Sequence, residues 1–190
     1  MNRKTILGGM IGLIVMLGIG AGFFLWQNQK DVKEVNKNLP AGIKVVKGLF
    51  SSDDYVVVNK IDGYEFKLPK EWKGVKDVEY TPEKNEKGYS WTVFGIEGQA
   101  GYSKIFAITK FKTIGSLELH SWVENNFKDF GLFAENLDSV KIENFDIIKI
   151  QENIHLLGAY LYFFQKESSI YVIRGGSEDF IKYIIENGKW

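Results

Sequence analysis

The spacing of hydrophobic and polar positions changes several times along this chain, and its first block is apolar throughout. Residues 6–26 read ILGGMIGLIVMLGIGAGFFLW and contain no charged side chain. As a helix rising about 1.5 Å per residue they would span roughly 31 Å, which matches the hydrocarbon core of a bilayer. No A-x-A-like cleavage site is present. We therefore predict an uncleaved transmembrane signal anchor after a short tail, residues 1–5.

The predicted membrane helix carries glycines at four-residue spacing, namely Gly8, Gly12, Gly18 and Gly22. Small residues at this spacing let two membrane helices approach closely, so weak self-association through this segment is one expectation. Basic residues flank both ends of the segment, which makes the charge rule equivocal. Because a single anchor followed by a folded domain is usually a signal anchor, we expect a single-pass membrane protein with an extracytoplasmic C-terminal domain.

The pattern becomes polar and lysine-rich after the apolar block. Residues 27–40 read QNQKDVKEVNKNLP and are typical of a helical extension or a stalk. Residues 43–50 fit either a short strand or part of the tether. We assign residues 27–54 to a stalk or linker and residues 55–190 to one folded domain, a size that is ordinary for a single domain.

Alternating apolar positions predict a β-hairpin at the start of the domain. Residues 55–60 (YVVVNK) are β-branched, and residues 64–68 (YEFKL) alternate between apolar and charged side chains. Asp62 and Gly63 between them form a hairpin turn signal, because glycine accepts the positive φ that such turns need. Pro69 ends the second strand, since proline has no N–H for the ladder.

The middle of the domain alternates between strand and helix patterns. Residues 73–88 are charged and contain a proline, and we interpret them as a long loop. Residues 90–98 and 104–112 predict a second hairpin. In residues 116–130 the apolar side chains fall at helical spacing behind Ser116, which is a good N-cap, so this segment predicts a helix with one apolar stripe.

The last part of the domain predicts three strands and a helix. The strands cover residues 145–153, 157–167 and 169–176, and we expect an antiparallel meander. The middle strand is apolar on both faces and should be covered on both sides. A helix capped by Ser177 and stopped by Gly188 follows. The predicted fold class is α+β, an antiparallel sheet with helices packed on it.

A short motif within this element order resembles the PsbP-like family. The motif reads aromatic-x-Phe-x-x-Pro-x-x-Trp, and its residues here are Tyr64, Phe66, Pro69 and Trp72. The resemblance would cover residues 55–190, and it departs from the family at Leu68, where the family often has an aromatic residue. It implies an α-β-α sandwich that docks on or stabilises other assemblies without catalysis, and it carries over no metal or cofactor site.

Composition excludes several kinds of chemistry. The chain has no cysteine, which rules out disulfides, thiolate metal sites, a cysteine nucleophile and a lipid-modified cysteine. Its 24 basic residues balance 24 acidic ones, so there is no basic excess to predict a nucleic-acid partner. Aromatic residues make up 15% of the chain, and beyond a well-filled core they could form a partner surface or an apolar ligand cleft.

The sequence offers few candidate catalytic or metal-binding residues. His120 is adjacent to Ser121 on the predicted helix, and neighbouring helical positions do not face each other. His155 falls in a turn between strands, and neither histidine has metal-ligand spacing. Asp53 and Asp54 lack the alternating ligands and central glycine of a calcium loop. We therefore predict no catalytic, cofactor-binding or metal-binding residues.

The turn from Arg174 to Ser177 precedes the last helix, where helix N-termini attract phosphate. Glu178 and Asp179 in the first helical turn would repel an anion and already complement the helix dipole. We interpret Ser177 as a cap rather than as part of an anion site.

These observations lead to two main functional hypotheses. The first is a non-catalytic, membrane-anchored module that binds or stabilises an envelope protein or a membrane complex. The second is a carrier or sensor that holds a small apolar ligand between sheet and helix. A hydrolase that uses two carboxylates and a water molecule stays open as a third hypothesis, because distant carboxylates can meet in space.

Overall fold

The computed structural model of the chain describes residues 29–48, 55–69, 74–83, 88–97, 103–113, 118–126, 137–151 and 160–190. These residues form ten strands and three short helices. The strands are β1 Ile43–Lys47, β2 Tyr55–Asn59, β3 Tyr64–Lys67, β4 Gly74–Thr81, β5 Tyr89–Glu97, β6 Ser103–Lys112, β7 Leu137–Ile142, β8 Phe145–Gln151, β9 Tyr160–Lys166 and β10 Ser169–Gly175. The helices are α1 Lys30–Lys37, α2 Leu119–Asn126 and α3 Glu178–Asn187.

The strands belong to two antiparallel sheets. The small sheet has the order β1-β2-β3, and the large sheet has the order β4-β5-β6-β10-β9-β8-β7. Neighbouring strands of the large sheet are hairpin partners except at the β6–β10 pair, where the two halves of the sheet join. This arrangement leaves β4 and β7 at opposite edges of the large sheet.

Both faces of the large sheet are covered. On the first face the small sheet and α3 enclose a core of large aromatic side chains, among them Phe66, Phe94 and Phe106. On the second face α2 covers a smaller apolar cluster through Trp122 and Val123. The interior strand β9 serves both cores, because four consecutive side chains, Leu161, Tyr162, Phe163 and Phe164, are buried. The prediction of a strand covered on both sides is confirmed.

The predicted fold class is wrong for the described chain. We expected an α+β sandwich in which helices cover one sheet behind a membrane helix, but the described residues are mostly antiparallel β-sheet with three short helices. The physical reason is that a second sheet takes much of the area assigned to helices. β2 and β3 belong to a separate sheet, and their buried face packs against the large sheet. Their strand pattern alone would equally have allowed them to be further strands of the large sheet.

The expected single-pass anchor is also not found in the part of the chain that the structure describes. The longest of its helices is α3, with ten residues, and none of the three has the length and apolar character needed to cross a bilayer. Residues 6–26, on which that prediction rests, lie outside the described residues, as do the four glycines within them.

Two further segments differ from the sequence prediction. Much of the predicted stalk, residues 27–54, belongs to the folded domain, because β1 pairs with β2 along its whole length and Val32 of α1 is buried in the main core. The predicted loop 73–88 contains the eight-residue strand β4. A bulge between Val75 and Asp77 interrupts its pairing with β5 and breaks the regular alternation of its apolar side chains.

Several local predictions are confirmed. Asp62 and Gly63 form the turn between β2 and β3, and Gly63 has a φ of +81°, which glycine adopts without strain. The second predicted hairpin, β5–β6, and the β8–β9–β10 meander also form. Ser177 caps α3, with its Oγ accepting a hydrogen bond from the Phe180 N–H at 3.3 Å. The turn signal at Asp62 and Gly63 and the cap signal at Ser177 are therefore confirmed, whereas the predicted N-cap Ser116 lies outside the described residues.

Candidate functional site

A cleft of about 640 Å³ opens between the start of α2 and the β7–β8 hairpin. Leu119 and His120 of α2 form one wall, and the opposite wall includes Ser139 and Lys141 of β7 with Asp146 of β8. The cleft thus lies between a helix and the outer part of the large sheet, and its lining is mixed in polarity.

The register of β7 and β8 places polar side chains in this cleft. Ser139 lies opposite Ile148, and Lys141 lies opposite Asp146. Directly opposite residues of an antiparallel pair point to the same face of the sheet. Since Ile148 packs in the cluster beneath α2, the side chains of Ser139, Lys141 and Asp146 lie on the α2 side as well. The floor of the cleft is apolar around Ile148 and charged toward the β7–β8 turn, where Lys141 lies opposite Asp146.

His120, one of the two histidines considered in the sequence, lies on the helix wall of the cleft. Its Nδ1 is 3.5 Å from Oε1 of Glu124, one turn further along α2, and both side chains are about half exposed. Such an exposed pair contributes little to stability. The geometry orients His120 toward a carboxylate and not toward Ser121, in agreement with the sequence argument.

The other residues singled out in the sequence do not join this site. His155, Asp53 and Asp54 lie outside the described residues. Ser177 acts as a helix cap. Within the described ranges, no group of three or more His, Asp or Glu side chains is arranged to hold a metal ion.

The Glu178 carboxylate at the start of α3 is already engaged. Lys149 and Lys182 contact it at 2.9 Å and 3.1 Å. Hydrogen bonds from these two lysines lower the pKa of Glu178, which keeps a negative charge at the helix N-terminus. This arrangement supports the interpretation that the turn before α3 is not an anion site.

A second polar cluster is buried between the two sheets and centres on Asp62. One oxygen of its carboxylate accepts a hydrogen bond from the Ser90 hydroxyl at 2.6 Å, and the other accepts one from Asn59 Nδ2 at 3.0 Å. Its main-chain oxygen accepts from Lys110 Nζ at 2.7 Å and from the Tyr171 hydroxyl at 2.8 Å. The β2–β3 turn is thereby bonded to three strands of the large sheet.

The strand register explains how these partners converge. Lys110 of β6 lies opposite both Ser90 of β5 and Tyr171 of β10, so the three side chains form one row across the sheet. Asp62 sits above that row because Asn59 Oδ1 accepts hydrogen bonds from the N–H groups of Ile61 and Asp62 at 3.0 Å and 2.9 Å. This side-chain turn fixes the backbone before Gly63.

Burial beside this cluster raises the pKa values of its tyrosines. Burial raises the pKa of Tyr171 to about 12, with the negative charges of Asp62 and Glu167 adding to the effect. Burial also raises the pKa of Tyr64 far above its ordinary value, although its hydroxyl donates to Thr92 Oγ1 at 2.7 Å. Both tyrosines therefore stay neutral hydrogen-bond donors at physiological pH.

The Asp62 cluster joins the two sheets. Asp62, Asn59 and Thr92 are almost completely buried, and their polar atoms bond to one another. This network was missed in the sequence because the residues of the large sheet that bond to Asp62 are separated from it by 18 to 109 positions. The one local signal was the Asn59-x-x-Asp62-Gly63 sequence, which is typical of a turn stabilised by an asparagine side chain.

Comparison with known proteins gives no family for this chain. No protein-family profile matches it, and no curated protein matches it. A crystal structure from Bacteroides thetaiotaomicron is similar at 14% sequence identity and a TM-score of 0.41, over 66% of this chain and 44% of that one. This chain thus spans less than half of that protein's length, and the likeness supports no functional argument. The PsbP-like resemblance stays a prediction.

Proposed function

We propose that this protein is a non-catalytic module that binds a partner protein at the cleft between α2 and the β7–β8 hairpin. The observation that supports this proposal most directly is the mixed lining of the cleft, where Leu119 and Ile148 lie beside Lys141 and Asp146. Protein interfaces combine an apolar centre with a polar rim in this way.

The position of the cleft also favours a macromolecular partner. It lies at the β7 edge of the large sheet, and the charged residues in its described lining are exposed. His120 and Glu124 form an exposed pair, and no serine or threonine hydroxyl contacts His120 within the described part of the chain. The site therefore has the chemistry of a contact surface more than that of a reaction centre.

Site-specific photo-crosslinking in the native host tests this function. A photoreactive amino acid at Lys141 samples the cleft, and the same amino acid at Lys67, an exposed lysine on β3, is the matched control. We expect a discrete crosslinked protein from position 141 and none from position 67. Equal crosslinking from both positions, or none from position 141, would contradict the proposal.

A small-ligand carrier is the second candidate, and the volume of the cleft favours it. Ligand pockets typically have volumes of about 300–1,000 Å³, and this partly open cleft between a helix and a sheet has a volume of about 640 Å³. Native mass spectrometry of the purified protein should then show a bound small molecule. Loss of that molecule in Ile148→Lys, which places a charge on the apolar floor, would favour the carrier over the protein-binding module.

We also propose that the domain acts outside the cytoplasm. The support for this location is the uncharged sequence of residues 6–26, of the kind that directs a chain into or across a membrane. Labelling of exposed lysines from outside intact cells should modify the domain, whereas protection of all its lysines would place it inside.

A further inference from the structure

The two sheets have four outer edges, and three of these are closed by identifiable devices. Exposed strand edges carry unpaired N–H and C=O groups that can pair with another chain, and natural proteins usually protect them. At β1 the side chain of Asn36 donates to the Val45 C=O at 2.8 Å and accepts from the Val45 N–H at 2.7 Å. Gln29 donates to the Lys47 C=O at 3.2 Å. Side chains on and next to α1 therefore occupy the edge where another strand would bind.

The edges of β3 and β4 are protected in other ways. The main chain of Lys189 exchanges two hydrogen bonds with that of Glu65 on β3, at 2.7 Å and 2.8 Å, and Trp190 then stacks on Phe66. The β4 edge carries the bulge between Val75 and Asp77. A bulge twists a strand edge and disfavours pairing.

The edge of β7 shows none of these devices among the described residues. Its six residues, LDSVKI, pair with β8 in continuous register, with no bulge and no proline. No main-chain hydrogen bond from the rest of the described chain reaches its outer side. β7 is thus the edge of the large sheet that is best suited to accept another strand.

The hairpin geometry shows which main-chain groups of β7 are available for pairing with another strand. Ile142 and Phe145 are paired across a two-residue loop, so they bond to each other through their main chains. Because this orientation alternates along a strand, the N–H and C=O groups of Ser139 and Lys141 point away from β8. The side chains of the same two residues line the cleft. A strand added to β7 would therefore border the cleft directly.

The charges around this edge favour a basic partner. Five exposed acidic side chains lie on or next to α2, β7 and β8, namely Glu118, Glu124, Asp138, Glu143 and Asp146. Glu118 and Asp146 line the cleft, whereas Asp138 is paired opposite Lys149 and lies on the other face of the sheet. Lys141 is the one exposed lysine on β7, and Lys149 of β8 is bonded to Glu178. A second copy of this chain would bring the same acidic edge, so it fits less well than a basic strand.

We propose that an extended segment of the partner protein, with lysine or arginine at alternate positions, pairs with β7 as an eighth strand of the large sheet. Its main chain bonds to Ser139 and Lys141, and its basic side chains lie near the carboxylates of Glu118 and Asp146 in the cleft. Main-chain hydrogen bonds supply affinity in this binding mode, and the side chains that alternate toward one face supply specificity. This inference rests on the proposed protein-binding function and names the partner's chemistry.

Binding of a synthetic peptide of alternating lysine and valine to the full-length protein tests this inference. Ser139→Pro removes one outward N–H and leaves the bonds to β8 in place, and Ser139→Thr is the matched control that retains the N–H. We expect Ser139→Pro to weaken binding about tenfold, the equivalent of one or two hydrogen bonds, with Ser139→Thr close to the wild type.

Two peptide controls keep the test decisive if Ser139→Pro does not fold. The same peptide methylated at alternate amide nitrogens on its pairing edge should not bind the wild-type protein, and an alternating glutamate–valine peptide should bind at least about tenfold more weakly. Equal binding of the methylated peptide, or no binding of the lysine peptide, would overturn the inference. Self-association of the wild type that Ser139→Pro abolishes would assign the edge to a second copy and also overturn it.

The crosslinking experiment separates this inference from the function on which it rests. Suppose that position 141 gives specific crosslinks but peptide binding is unchanged by Ser139→Pro and by N-methylation. This result would support a protein-binding cleft and reject strand addition. If position 141 gives no specific crosslinks, the proposed function itself fails.

Discussion

Replacing Asp62 by alanine should destabilise the protein strongly, because this carboxylate holds the two sheets together. The substitution removes the acceptor for the Ser90 hydroxyl and for Asn59 Nδ2, and both donors are buried. It also removes the acceptor for the part-buried Tyr80 hydroxyl, whose hydrogen bond is longer, at 3.4 Å. The main-chain oxygen of residue 62 is retained, so the hydrogen bonds from Lys110 and Tyr171 are still available. The experiment therefore measures the contribution of the carboxylate alone to the free energy of unfolding.

The size of the effect follows from the donors that lose their partner. A buried donor left without an acceptor costs about 1–3 kcal/mol. Asn59 Nδ2 retains a long contact to Thr92 Oγ1 at 3.4 Å, which reduces its share. For two donors we expect a loss of about 2–4 kcal/mol in the free energy of unfolding, a large part of the 5–15 kcal/mol typical of a domain. Asp62→Asn retains the volume and one acceptor and should cost about half as much.

Urea unfolding of the purified full-length protein, followed by tryptophan fluorescence, measures this loss. A double-mutant cycle with Ser90→Ala isolates the Ser90–Asp62 hydrogen bond, and we expect a coupling energy of about 1–2 kcal/mol. The matched control is Asp138→Ala, an exposed aspartate on β7, which should change stability by less than about 0.5 kcal/mol. A loss below about 1 kcal/mol for Asp62→Ala, or no coupling to Ser90, would refute the view that this network joins the sheets.

Three further predictions concern other parts of the fold. Asn36→Ala removes both hydrogen bonds to Val45, and it should cost about 1–2 kcal/mol in urea unfolding and increase self-association in sedimentation, which Lys37→Ala should not. Glu143 has a φ of +50°, so Glu143→Gly should stabilise the protein by about 1 kcal/mol, whereas Glu143→Ala should not. The neutral form of Tyr171 is favoured in the folded state, with a pKa raised from 10.0 to about 12. Its contribution to stability should be complete below pH 10.0 and lost as the pH rises toward 12, so the loss of stability over this range in urea unfolding should be smaller in Tyr171→Phe; an equal loss in both proteins would contradict this.

The parts of the fold that the sequence predicted well have strong local signals. The β2–β3 hairpin follows from regular alternation around Asp62 and Gly63, because a tight turn needs the conformational freedom of glycine at that point. The cap at Ser177 and the burial of β9 on both faces were equally readable. In each case neighbouring residues determine the outcome without help from distant parts of the chain.

The elements that the sequence did not predict have hydrophobic patterns that can be understood only from the tertiary structure. In β4 the bulge brings Val75 and Val78 to buried positions at odd spacing, so the segment did not show the period of two that predicts a strand. Among the described side chains of α1, Val32 is the one that is buried. Because the rest of the helix is mostly polar, the segment was interpreted as a stalk. This helix places a side-chain amide on the edge of β1, and that contact depends on how the helix and the strand pack together in the folded protein.

The candidate site could not be predicted for the same reason. On β7 the residues that face the cleft include Ser139 and Lys141, and their alternation with Val140 and Ile142 is too short to predict a strand, so none was predicted there. The cleft forms because α2 covers the inner strands of the sheet and leaves this outer edge. The histidine on its wall, His120, was noticed in the sequence, but its neighbours across the cleft come from strands later in the chain.

Hydrogen–deuterium exchange tests the central claim, partner binding at β7, most directly. The full-length protein is compared with and without the alternating lysine–valine peptide, and exchange is followed in β7, residues 137–142, and in the opposite edge strand β4, residues 74–81. The account predicts slower exchange at the outward amides of Ser139 and Lys141, with no change in β4. Unchanged exchange in β7, or equal slowing at both edges, would contradict it.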